Sequence, residues 1–304
     1  MKKITLSTLT LALLATAGAA QAQSSVTLYG AIDDGIQYVS NNHGSSQFGL
    51  GDSTTIASRW GLKGSEDLGG GLKAIFQLEN GFDINNGTMY QSGALFGRQA
   101  FVGLASQQYG TFTLGRQYDA VTDMVQPLTG DAWAYVFATP GDVDNNDNSA
   151  RFNNSVKYVS TTFSGLQLEG TYSLGGVAGA TGAGQSWSAA ATYGIGQLSL
   201  AGGYLNMRNG SAAERIADGA SVWGSTTTGA MFDSNINSFV ESAASVGIAQ
   251  VAAQYVWGPL TASARYSNAL YRPDGMSSFT NLQRYNVGSG LLQYQVTPAI
   301  ALAL

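Results

Sequence analysis

From Val26 onward the chain repeatedly alternates apolar with polar residues. Val26, Leu28 and Ile32 are set against Thr27, Tyr29 and Asp33. The clearest case is the stretch 58–82. In its first arm Trp60 and Leu62 share one face, and Arg59 and Lys63 the other. In its second arm Leu72, Ala74, Phe76 and Leu78 oppose Lys73, Gln77 and Glu79. Side chains alternate across a strand, so the pattern predicts a two-faced hairpin turning at Gly69, Gly70 and Gly71. The same period returns at 96–106, 111–118, 151–162, 166–174, 187–193, 198–205, 246–257, 260–271, 283–296 and 299–304. That makes about thirteen strands, near the roughly 9–11 residues a tilted membrane strand needs.

The connections are of two kinds. Short turns at 69–71, 107–110, 164–165, 194–196, 258–259 and 297–298 alternate with long polar loops, among them 41–52, 83–95, 119–150 and 206–242. Long loops on one rim and short turns on the other predict an all-β, antiparallel transmembrane β-barrel. Closure is also the way a sheet meets lipid without unpaired edges. A soluble sandwich shares the alternation, so composition has to separate the two.

Charged residues make up 11% of the chain, against about 25% in typical soluble domains. The polarity comes from Ser, Thr, Asn, Gln and Gly, which suits a sheet whose outer face meets lipid. Residues 1–22 read as a signal peptide: Lys2 and Lys3, a short apolar core, then Ala20-Gln21-Ala22 as a small-x-small cleavage site. The barrel domain is then 23–304. The formal charge is -5 and becomes more negative when Lys2 and Lys3 leave. A negative chain with no basic run has no footprint for nucleic acid. With no Cys in an exported chain, the fold needs no disulfide.

Enzyme chemistry finds no purchase. The single histidine, His43, sits in a Gly- and Asn-rich loop without a Ser and acid pattern. One His and no Cys leave no His/Cys metal set. Asp144, Asn145, Asn146 and Asp147 lack the spacing and closing Glu of a calcium loop. The glycine run 175–184 lacks the Gly-Lys-Ser/Thr ending of a phosphate loop. The reading is no reaction and no cofactor.

The stretches SSVTLYGAIDDGIQYV, SRWGLKGSEDLGGGLKAIFQLENGF, FGRQAFVGL, GTFTLGRQYD, NNSVKYVS and QYQVTPAIAL carry a resemblance. The mature chain resembles the Gram-negative general diffusion porins, in the beta-proteobacterial branch of Neisseria, Bordetella and Burkholderia. The resemblance implies a sixteen-stranded barrel assembled as a homotrimer in outer-membrane lipid and lipopolysaccharide. It implies a water-filled channel for small hydrophilic solutes and ions, narrowed by an inward-folded third loop, here 119–150. The family ends in further strands and a terminal Phe. This sequence stops at Leu304, about three strands short, and the expectation is a fragment. The alternative function is an adhesin or receptor acting through its surface loops.

In such a channel the site is an electric field rather than a reactive group. Its basic side is expected on the wall, at Arg59, Arg98, Arg116, Arg151 and Lys157. Its acidic side is expected on the loop, at Asp119, Asp123 and Asp131, with Asp142, Asp144 and Asp147 nearby. Alternation puts Arg59, Arg151 and Lys157 on the polar face. It leaves Arg98 and Arg116 ambiguous, because Arg98 shares parity with Ala100, Val102 and Leu104, and Arg116 with Phe112 and Leu114. A bulge, a rim position or an inward turn would each resolve them. Lys63, Lys73, Glu79, Glu169 and Arg265 also fall on polar faces. The basic wall leans to anions.

Overall fold

The computed structural model describes residues 25–130, 138–224, 226–227, 229–232 and 234–304. The strands are β1 (Ser25–Ala31), β2 (Asp34–Asn42), β3 (Ser45–Asp52), β4 (Arg59–Gly69), β5 (Leu72–Gly81), β6 (Gln99–Ser106), β7 (Gly110–Gln117) and β8 (Arg151–Val159). They continue as β9 (Leu166–Ser173), β10 (Ser186–Ile195), β11 (Leu198–Arg208), β12 (Thr226–Thr227), β13 (Ser245–Trp257), β14 (Leu260–Arg272), β15 (Gln283–Thr297) and β16 (Ile300–Ala303). One antiparallel sheet runs β1-β4-β5-β6-β7-β8-β9-β10-β11-β13-β14-β15-β16, with β12 beside β8. Its path strands correspond one to one with the segments the alternation marks. The predicted signal peptide lies outside the described residues.

Register carries the two faces from strand to strand. Leu28 pairs with Leu62, Leu62 with Leu78 and Leu78 with Ala100. One row over, Thr27 pairs with Lys63, Lys63 with Gln77 and Gln77 with Phe101. On the apolar side Leu28 is 70% exposed, Val102 60% and Val251 56%. An apolar surface this continuous is unfavourable in water and at home in hydrocarbon.

Two departures from the simple reading shape the near rim. The alternation that begins at Val26 does not run past Ile32 as one strand. The chain leaves the sheet at Ile32 and Asp33, where the Asp33 carboxylate accepts backbone N–H groups of Thr55 and Ile56. The polar loop 41–52 is also not irregular. It forms β3, which pairs with β2 as a separate hairpin around His43 and Gly44, both at positive φ.

The described parts of the segment between β7 and β8, 118–130 and 138–150, settle against the inner face. Asp119 caps the short helix Ala120–Met124 by accepting from the backbone N–H groups of Val121 and Thr122. Ala120 N–H donates to Ser188 Oγ of β10 at 2.8 Å. The inner rows here are small. A Cβ on Gly203 would come 2.7 Å from Ala190 Cβ and 3.0 Å from Val121 Cγ2. Farther along, Asp144 reaches β14 through Arg265 and Ser267. The other side of the segment looks across a cavity to β1, β4 and β5. One segment thus meets strands from both halves of the sheet, so the sheet curves round it as a barrel wall.

Candidate functional site

The cavity between wall and loop has a volume of about 510 Å³. The wall contributes Tyr29, Arg59, Glu79, Arg98, Gln99 and Tyr118. The loop contributes Thr122, Asp123, Gln126, Asp147 and Asn148. Arg59 opens β4 and pairs in register with Ala31 and Gly81 on the inner row. Arg98 precedes β6, so strand parity does not bind it. Its side chain turns inward, with Nε 2.7 Å from Glu79 Oε1 and Nη2 donating to Tyr118 Oη at 2.9 Å. Tyr29 donates to Glu79 Oε2 at 2.8 Å. Glu79 therefore holds Arg98 in place and offsets part of its charge.

Each end of the loop is tied down by charge. At one end Lys157 of β8 bonds the Asp123 carboxylate and lies 3.2 Å from Glu169 of β9. Asp123 keeps 34% of its side chain exposed toward the cavity. At the other end Arg265 Nη1 lies 2.5 Å from Asp144 Oδ2 and Nη2 donates to Thr139 Oγ1 at 2.8 Å. Gln250 donates to the Asp144 carbonyl at 2.6 Å, and Tyr271 to the Val143 carbonyl at 2.7 Å. Arg265 and Asp144 side chains are 1% and 0% exposed, so this pair acts as an anchor and not as part of a solute surface.

The sequence profile of the Gram-negative porin family matches residues 8–300. This chain belongs to that family. Among its relatives are an outer membrane porin protein of Bordetella pertussis, 40% identical over 174 residues, and outer membrane porin protein 32 of Delftia acidovorans, 39% identical over 175. The two alignments cover 52% and 55% of this chain, and 45% and 48% of those proteins. The chain thus spans about half the length of these relatives. Among solved structures it is similar to an anion-selective porin from Comamonas acidovorans, with a TM-score of 0.66 and 24% identity, covering 89% of this chain and 73% of that one. The barrel fold and the outer membrane as its location follow.

Within this porin the predicted basic residues separate. Arg59 and Arg98 line the cavity. Lys157 is buried in its carboxylate pair. Arg151 is not at the water surface: it is buried, its Cζ 4.3 Å above the Tyr118 ring, and it donates to Asn148 Oδ1 at 3.0 Å. The cause is a bulge at Asn154, with φ 49°, and a register shift between Gly115 and Gln117. The bulge also turns Phe152 onto the inner row, opposite Gln117. Arg116 stays on the outer row opposite Ala100, at the rim end of β7. There it donates to the Gly97 carbonyl at 2.7 Å and to Asn153 Oδ1 at 2.5 Å.

The acidic residues separate as well. Asp123 lines the cavity. Asp119 does not: it is fully buried, spent on the helix cap and on Asn145 Nδ2 at 3.2 Å. Burial pushes its carboxyl above the usual range, against the pull of Thr122 and the backbone donors. Asp131 lies outside the described residues. Asp147 joins Asp123 at the cavity, and Glu79, Glu169, Asp144 and Arg265 supply the fixed pairs. Their only sequence signal is a charge on a polar row; parity does not say what lies across from it.

Proposed function

We propose that the chain forms the wall of a water-filled channel for passive diffusion of small hydrophilic solutes and ions, and carries out no reaction. Segment 119–150 is the constriction loop. The observation that carries this reading is the cavity with Arg59 and Arg98 on one side and Asp123 and Asp147 on the other. Charges of opposite sign across a gap with low-dielectric walls set a transverse field that orders water and sorts ions. Two wall arginines, one partly neutralised by Glu79, face loop carboxylates of which Asp123 is already bound by Lys157. The cavity lining sets Arg59 and Arg98 against Glu79, Asp123 and Asp147, with Lys157 bound to Asp123, so the two signs nearly cancel and the reversal potential decides which ion is preferred. The working assembly is a homotrimer in lipid and lipopolysaccharide, as the resemblance implies.

Planar-bilayer recording tests this directly. Arg59→Ser should move the reversal potential toward cations, while Arg116→Ser, at the rim, should leave it in place. Equal effects of the two would remove Arg59 from the field. Folded protein that gives no conductance step would return the surface-loop receptor as the better reading.

A further inference from the structure

Water-facing rows of a channel wall should be polar, yet near the long-loop rim β11, β13 and β14 break this rule. Leu205 and Met207 of β11 pair with Ile248 and Val246 of β13, and Val246 pairs with Tyr271 of β14. These lie on the same row as Gln250 and Ser267, which bond the acidic loop, so they face inward. None of the five is more than 1% exposed. Something dry covers them.

The cover is the connection between β11 and β13. Its Met231 is fully buried and Phe232 is 5% exposed, both in one apolar cluster with the inward residues just named. The Phe232 ring stacks on Trp223 with centroids 5.5 Å apart and meets Tyr271 edge-on at 6.3 Å. The same cluster contains Val125, Leu128 and Ala150 of the acidic loop. The two segments also bond directly. Asn237 Nδ2 donates to the Gly141 carbonyl at 2.7 Å and to the Met231 carbonyl. Gly141 has φ 71°, and a Cβ there would come 3.0 Å from Ser234 Cβ. At the rim, Arg215 ties the connection to Asp274 at 2.6 Å, and within the connection it donates to the Ser242 carbonyl at 2.8 Å.

We infer that this connection is a second inward element. It fills the β11–β14 side of the channel mouth with a dry core and holds the Pro140–Asp142 end of the acidic loop. Asn237 is its positioning residue, and solutes pass on one side only, between the acidic loop and the β1–β6 wall. The inference rests on the channel reading for its functional part. Its structural part stands on packing alone.

The chain has no cysteine, so introduced thiols report without background. Single variants Met231→Cys and Gln99→Cys would be made in the full chain, in outer membranes, and treated with a membrane-impermeant charged maleimide. Gln99→Cys lines the cavity and should label promptly and lower the conductance. Met231→Cys should label more than about tenfold slower, because reaction must wait on local opening. Comparable labelling rates would overturn the inference. Asn237→Ala, checked for a heat-resistant folded form, should give noisier open-channel current and a smaller reversal potential. Asn237→Gln should restore part of both. Wild-type noise and potential in Asn237→Ala would remove its positioning role. A wild type with no conductance would sink the channel reading instead, and labelling would still decide where the connection packs.

Discussion

Asp142 and Asp144 sit in one pocket at the far end of the acidic loop. Asp144 has Arg265 and Ser267. Asp142 accepts from the backbone N–H groups of Asp147 and Ser149, at 2.9 and 3.0 Å, and from the Ser149 side chain, with no cation of its own among the described residues' ion pairs. Burial, and then the neighbouring Asp144 charge, push its carboxyl up to about 7 from 3.8. Between those values the folded chain keeps a proton that the unfolded chain gives up. Seating of the loop is therefore strongest at acid pH and weakens as pH rises toward about 7. The thermal loss of folded protein should move to lower temperature from pH 5 to pH 8, and Asp142→Asn should flatten that slope. An unchanged slope in the variant would place the titrating group elsewhere. The neighbouring ion pair gives a second expectation. Arg265→Ala leaves a buried carboxylate without its cation, a loss of about 3–5 kcal/mol in such cases. The double variant Arg265→Ala with Asp144→Ala should recover much of it, because the coupling is between contacting groups. Urea unfolding in lipid vesicles would measure both.

At the scale of elements, the short helix Ala120–Met124 depends on two local features. Asp119 supplies its cap, and small residues on β10 and β11 supply its seat. Asp119→Ala should destabilise the seated loop by about 0.5–2 kcal/mol, and Asp119→Asn by less, since the amide oxygen still accepts. The readout is open-channel noise, which a loosened loop raises. Gly203→Val should act from the strand side, by driving a side chain into Ala190 and Val121. An Asp119→Ala channel as quiet as wild type would show that the helix is held by its seat alone.

For the whole molecule, the decisive quantity is the sidedness of the wall. Val102 lies on the outer row of β6 and is 60% exposed, while Gln77 lies on the inner row of β5. An arginine on the lipid face of such a barrel costs about 2–4 kcal/mol at mid-membrane. Val102→Arg should lose stability on that scale in vesicles, and Gln77→Arg should lose little. Equal losses would mean that hydrocarbon does not wet the row that Val102 shares with Leu78, Phe76 and Leu114.

The thirteen wall strands, their order and the two faces were readable in the chain, because alternation is local: each residue carries its own vote for one side of the sheet. On that basis Arg59 falls on the inner row, where its side chain lines the cavity. Alternation misled wherever the backbone left the ladder. The bulge at Asn154 put Arg151 over the Tyr118 ring and turned Phe152 inward. The late start of β6, at Gln99 and not at residue 96, let Arg98 swing toward Glu79. The partners of the loop carboxylates lay beyond any local rule, since Arg265 and Asp144 are 121 residues apart. A period of two states which way a side chain points. What it meets there, water or a second loop, is settled only when distant segments close over the same space.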